Sequence, residues 1–130
     1  MRSTYRERNE FQSQMMEKPA FIQGLFYCDG KGLGHPRSFT PAVTYNVPSD
    51  MRAQLIYFRA GNSSDEMIYL VFIAGARTMR YFPVGAKGAV HVPLAVVEDI
   101  LPGTKVEILV AAPEGLKAAV LLDVGFMEID

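Results

Sequence analysis

Beyond residue 20 the chain alternates short apolar runs with clusters of Gly, Pro, Asn, Asp and Ser. The runs cover residues 21–27, 39–47, 52–60, 67–74, 78–83, 89–94, 104–111 and 117–129. Runs of this length, punctuated by turn residues at this spacing, predict about eight short strands and an all-β sandwich or barrel. The clearest alternation has Val106, Ile108 and Val110 facing one way and Lys105 and Glu107 the other, a strand with one solvated face. Residues 89–94 repeat it. Val90, Val92 and Leu94 point inward and His91 and Pro93 outward, with Pro93 marking an edge or a strand end. Residues 67–74 and 118–124 are apolar on both faces, as expected of strands that are central to the fold or covered by a partner. Residues 96–101 predict one helical turn before the stop at Pro102 and Gly103.

Residues 1–20 lack this rhythm. Arg2, Arg6, Glu7, Arg8 and Glu10 stand among scattered apolar positions, and Phe11, Met15 and Met16 fall roughly on one side of a helix. The expectation is an N-terminal arm or short helix over 1–20, ended by Pro19 because the residue before a proline is biased away from helix. A single sandwich domain over 21–130 follows. Eight strands and a lone cysteine, with no pair to bridge two sheets, point to an antiparallel jelly-roll-like topology rather than an immunoglobulin-like one.

Composition narrows the function classes. A chain of 130 residues with 49% apolar and 21% charged residues suits one globular domain and not a disordered segment. Thirteen basic residues against fourteen acidic ones leave a net charge of -1, without the basic excess that nucleic-acid binding needs. The longest uninterrupted apolar stretch, residues 67–74, is eight residues, too short for a membrane helix, so neither nucleic acid nor membrane is an expected partner. The mean hydropathy of +0.10 points to apolar surface covered by another subunit. Cys28 has no intramolecular partner, and the charged N-terminus lacks the apolar core of a signal peptide, so a cytoplasmic protein with a reduced thiol is expected.

Candidate chemistry is sparse. His35, His91 and Cys28 show no paired spacing of the kind a zinc site uses, so no metal and no cofactor is expected. Residues 29–36 resemble a phosphate cradle in their glycines and Lys31, but His35 and Pro36 follow where a helix should open. A loop is the simpler reading. Ser63 and Ser64 lie in a turn and not in a nucleophile elbow. Glu98 and Asp99 are adjacent on a turn and face solvent. The richest group is a set of arginines and tyrosines on strands: Tyr57 and Arg59 on one face of one strand, Tyr69 on the next, then Arg77, Arg80 and Tyr81. Three guanidinium groups could clamp a carboxylate or phosphate, and tyrosines could stack on a sugar, yet the same residue types also mark oligomer interfaces. Asp123 interrupts an apolar strand and needs a partner such as Arg59 or Arg80, in a salt bridge near the sheet rim.

Three functions follow from these residues. The first is a non-catalytic subunit that self-associates as a homo-oligomer through its two-sided strands and its arm, in a structural role. The second is a binding module for a carbohydrate or small anionic ligand, using Tyr57, Arg59, Tyr69, Arg77, Arg80, Tyr81, His91 and Asp123; the lack of tryptophan weighs against a sugar. The third is an enzyme of unrecognised type, with His35, His91, Cys28 and Asp123 as its chemical groups.

Overall fold

The computed structural model describes residues 17–130. All eight expected strands are present: β1 (Glu17–Asp29), β2 (Arg37–Asn46), β3 (Arg52–Asn62), β4 (Ile68–Ala74), β5 (Arg77–Val84), β6 (Ala89–Pro93), β8 (Lys105–Ala111) and β9 (Lys117–Ile129), joined by a two-residue β7 (Asp99–Ile100). The order β5-β4-β8-β2-β1-β9-β3-β6 folds over at one β1–β2 register pair, Tyr27 opposite Thr40. The front sheet is therefore β1-β9-β3-β6, with β7 beside β3, and the back sheet is β2-β8-β4-β5. Every pairing is antiparallel. The result is an antiparallel sandwich of jelly-roll type, as the spacing of the runs predicts.

Alternation writes the core. On β9, Ala118, Val120, Leu122, Val124 and Phe126 turn inward, while Ala119, Leu121, Asp123 and Gly125 turn outward. On β3 the phase changes once. Ala53 and Leu55 point inward, a bulge takes up Ile56, and the inward set resumes at Phe58, Ala60 and Asn62. The bulge thereby aims Tyr57 and Arg59 at the outer face. Aromatic pairs tie the sheets together: Phe58 of β3 stacks on Phe82 of β5 at 3.9 Å, and Tyr45 of β2 on Phe126 of β9 at 4.4 Å. The phenol of Tyr45 also donates to Glu128, a carboxylate only 5% exposed, so that buried acid has a partner. Burial and this hydrogen bond hold the Tyr45 phenol protonated far above its ordinary range.

Several expectations need correcting. Residues 1–16 of the expected arm lie outside the described residues, and its last four, Glu17 to Ala20, begin β1. Pro19 does not end an element; it sits opposite Met127. The β2 side of that stretch carries no strand pairing, so a proline whose missing N–H faces that side removes no ladder bond. No helical turn forms at 96–101. Ile100 is buried in the core, and Asp99 accepts from Arg52 at 3.1 Å and Gln54 at 2.9 Å, so tertiary contacts draw the segment onto β3 as β7. The two-sided run at 67–74 is an inner strand, β4, held between β5 and β8. Its outward Val71 lies between its register neighbours Tyr81 and Leu109 and is buried without any second subunit.

The Phe58–Phe82 stack gives a direct test of this core. Phe58 is fully buried, so Phe58→Ala should lower unfolding stability in a denaturant titration by about 3–5 kcal/mol. Tyr81→Ala, on an exposed ring, should change it by less than about 0.5 kcal/mol. Equal losses would contradict the assigned faces.

Candidate functional site

The outer face of the front sheet carries the arrangement with most chemical content. Antiparallel register lines up Gln23, Asp123, Arg59 and His91 in one row across β1, β9, β3 and β6. Asp123 is the hub. Its Oδ1 accepts from Tyr57 Oη at 2.8 Å and from Gln23 Nε2 at 3.1 Å, and its Oδ2 accepts from Arg59 Nη2 at 2.8 Å. The hydrogen bond from Tyr57, then that from Gln23 and the Arg59 charge, hold the Asp123 carboxyl below its ordinary value. The same hydrogen bond pushes the Tyr57 phenol up. The Arg59 guanidinium lies 5.7 Å from the centre of the Tyr57 ring, and His91 meets that ring edge-on at 6.2 Å.

Glycines shape the surface around this hub. In the next row Tyr57 stands opposite Gly125, and a Cβ on Gly125 would meet the Tyr57 ring at 2.1 Å. Gly125 is the space into which that ring lies down to reach Asp123. On the other side, Leu25, Leu121, Gly61 and Ala89 form the following row. Gly61 and Ala89 leave an open depression of about 520 Å³ bounded by Gln23, Arg59, His91, Leu121 and Asp123. Leu121 bounds it, and with Phe21, Leu25 and Tyr27 of β1 on the same outer face it stands about half exposed, giving apolar side chains on a solvent face.

The sequence-derived candidates divide between two places. Tyr57, Arg59, His91 and Asp123 converge on this face, and Asp123 pairs with Arg59 in the middle of the sheet and not at its rim. Tyr69, Arg77, Arg80 and Tyr81 belong to the back sheet. Arg77 and Arg80 both face Glu98, at 3.1 and 3.7 Å, and Arg80 also donates to the carbonyl of Val96, closing the gap between the edge strands β5 and β6. The expected three-arginine anion clamp does not exist, because the pairing places Arg59 on one sheet and the other two on the opposite edge. Tyr69 donates to the carbonyl of Leu33 and lies 6.0 Å from Tyr81.

The other chemical groups also separate. Burial pushes the Cys28 thiol up, away from thiolate chemistry. The amides of Gly30 and Gly32 donate to the carbonyls of Leu116 and Ala112, so the glycine loop spends these donors on the chain itself and cradles no anion with them. Among the described residues no three His, Cys, Asp or Glu side chains gather as a metal site would require. Sequence reasoning missed Gln23, Leu25, Gly61, Leu121 and Gly125. Alternation alone places Gln23 and Leu121 outward, but only the β1–β9–β3 register brings them beside Arg59.

No protein-family model matches the chain, and no curated protein matches it. Among solved structures, a carbohydrate-binding module CBM36 in complex with calcium and xylotriose superposes with a TM-score of 0.53 at 14% identity, over 89% of this chain and 93% of that one. The CBM36-1 domain of a multidomain xylanase from the hindgut metagenome of Trinervitermes trinervoides superposes with a TM-score of 0.52, also at 14% identity, over 85% and 96%. These matches establish the fold. The expected self-associating structural subunit is corrected by them, since the two domains just described are carbohydrate-binding modules and not assembly subunits. Its inner strand β4 and its scattered Arg/Tyr set no longer support it either. A calcium ion needs about six to eight oxygen ligands, and the described carboxylates form no such group.

The hub has a pH signature with a definite sign. Asp123 is depressed in the folded state, so its contribution is complete above the ordinary carboxylate value of 3.8 and is lost as pH falls through the lower folded value. Tyr57 is raised, so its contribution holds below 10.0 and is lost as pH rises through the higher folded value. The stability difference between the wild type and Asp123→Asn should stay level from about pH 5 to 9 and shrink below about pH 4. For a pair this exposed the plateau should not exceed about 1 kcal/mol. Denaturant titrations across pH check it; a difference that grows on acidification would contradict the assigned hub.

Proposed function

We propose that the chain is a carbohydrate-binding module whose ligand lies on the outer face of the front sheet, beside the Gln23–Asp123–Arg59 row. A pyranose presents apolar C–H faces and a belt of hydroxyl groups that both donate and accept. The face offers the complement. Leu25, Leu121 and Tyr27 supply exposed apolar surface, and the row beside them supplies planar polar groups. Asp123 uses three of its roughly four lone-pair sites on Gln23, Tyr57 and Arg59, leaving one for a hydroxyl. Arg59 engages a single nitrogen with Asp123, so most of its N–H groups remain for the ligand.

The observation that carries this reading is the prebuilt network above an open floor. Tyr57, Gln23 and Arg59 are held in place by Asp123 before any ligand arrives, so little side-chain entropy is lost on binding. The shared architecture with carbohydrate-binding modules supports the same assignment. The enzyme reading finds less support: of its four groups only His91 and Asp123 share this face, across Arg59, while His35 sits in a loop and Cys28 in the core.

Gly61 allows the site to be blocked without disturbing the fold. A Cβ there would meet only Leu121 Cβ, at 3.9 Å, and the backbone is ordinary strand. Gly61→Val should therefore keep or raise the melting temperature, by up to about 1 kcal/mol of stability, while filling the depression. In native gels cast with soluble xylan, mixed-linkage glucan or galactan, the wild type should be retarded by at least one, and Gly61→Val should lose about tenfold or more in affinity. Retention of binding by this variant, or no retardation of the wild type by any of the three, would refute the site.

A further inference from the structure

The depression beside Asp123 does not end at Gly61. It shares Gly61, Ala89 and Leu121 with a second hollow of about 290 Å³, which in turn shares Ser63 and Ala119 with a third of about 410 Å³ that reaches Lys117 and Thr40. Gly61, Ala89 and Ala119 keep the floor of this path low, and Leu121, about half exposed, flanks it on the β9 side. Ser63 extends the sheet beyond β3: its N–H donates to the carbonyl of Ala119, and its hydroxyl accepts from the Ala119 N–H. Along β9, Asp123 and Lys117 at the two ends of the trough are six residue steps apart, about 20 Å at the usual strand rise. A pyranose in an extended chain adds about one and a half such residues. The trough therefore has room for several consecutive sugars.

Its charges state what kind of chain it suits. Arg59 faces Asp123 at 2.8 Å, Lys87 faces Asp65 at 3.5 Å, and Lys117 faces Asp29 at 3.8 Å. Each arginine, lysine and carboxylate along it already meets an opposite charge, so an anionic polymer would have to compete with existing ion pairs. A polyhydroxyl chain needs no such exchange. Resting on the site proposed above, we infer that the ligand is an internal stretch of a neutral linear polysaccharide, spread over several subsites from the Arg59–Asp123 row to the Ala119–Ser63 end. A free sugar end is not what the surface selects, since the trough is open along its length.

The test is a calorimetric titration of the full chain with the neutral oligosaccharides, disaccharide to hexasaccharide, of whichever of the three polysaccharides retards it. Affinity should rise about tenfold or more from disaccharide to tetrasaccharide and then level off. Ala119→Val places a β-branched residue at an outward strand position, which strands accept, and narrows only the far end. It should erase the gain with length while leaving the disaccharide affinity within about twofold. Ala119→Thr repeats the block should valine unsettle the strand. A disaccharide that binds as tightly as the hexasaccharide, or an Ala119 variant that leaves the length dependence intact, would overturn the extended trough while the Gly61 result still upheld the site. No binding at any length, with no retardation in the gel, would overturn both.

Discussion

Strand β9 sits between β1 and β3 along nearly its whole length, and its alternation fixes both faces of the front sheet at once. Val120, Leu122, Val124 and Phe126 must enter the core, so Leu121, Asp123 and Gly125 must leave it. A slip of one residue would exchange the two sets, exposing four large apolar side chains and burying a carboxylate, at a cost far beyond what a surface network could offset. The core thus sets the register of the outer face. The outer face, in turn, answers with bonds that only this register allows: Asp123 reaches Gln23 and Arg59 because they are its direct neighbours on either side.

The polar hub gains its rigidity from the backbone and not from burial. Gly125 lets the Tyr57 ring lie against the strand, and the bulge at Ile56 turns Tyr57 and Arg59 outward in the first place. Neither residue would reach Asp123 from an unbroken alternation, which would send Tyr57 and Arg59 into the core. The face that results is half apolar and half polar, with its polar groups already ordered. That is the character the proposed hydroxylated ligand requires, supplied without tryptophan by leucine and tyrosine side chains.

The strands were legible because each buries one face, and burial writes a period of two into the sequence. The same period put Tyr57 and Arg59 on one face, while the bulge at Ile56 that turns that face outward was not read from the sequence. Pairing partners were not legible. Arg59, Arg77 and Arg80 look alike along the chain, yet the register gives the first to Asp123 and the other two to Glu98 across a sheet edge. The same limit made residues 67–74 look like an interface, since an inner strand and a covered one carry the same apolar pattern. Pro19 was read as a terminator because its neighbour-strand environment, open on the β2 side, has no signature in the local sequence. Gly61 and Gly125 drew no notice because their importance lies in what stands opposite them.

The account rests on one face being the binding face, and amide chemical-shift mapping examines that directly. Titrating isotope-labelled protein with the tetrasaccharide of the retained polysaccharide should move the resonances of Gln23, Gly61, Ala89, Leu121 and Asp123, and leave those of β4 and β5 in place. Shifts concentrated on the back sheet around Tyr69 and Tyr81, or none at saturating sugar, would contradict it.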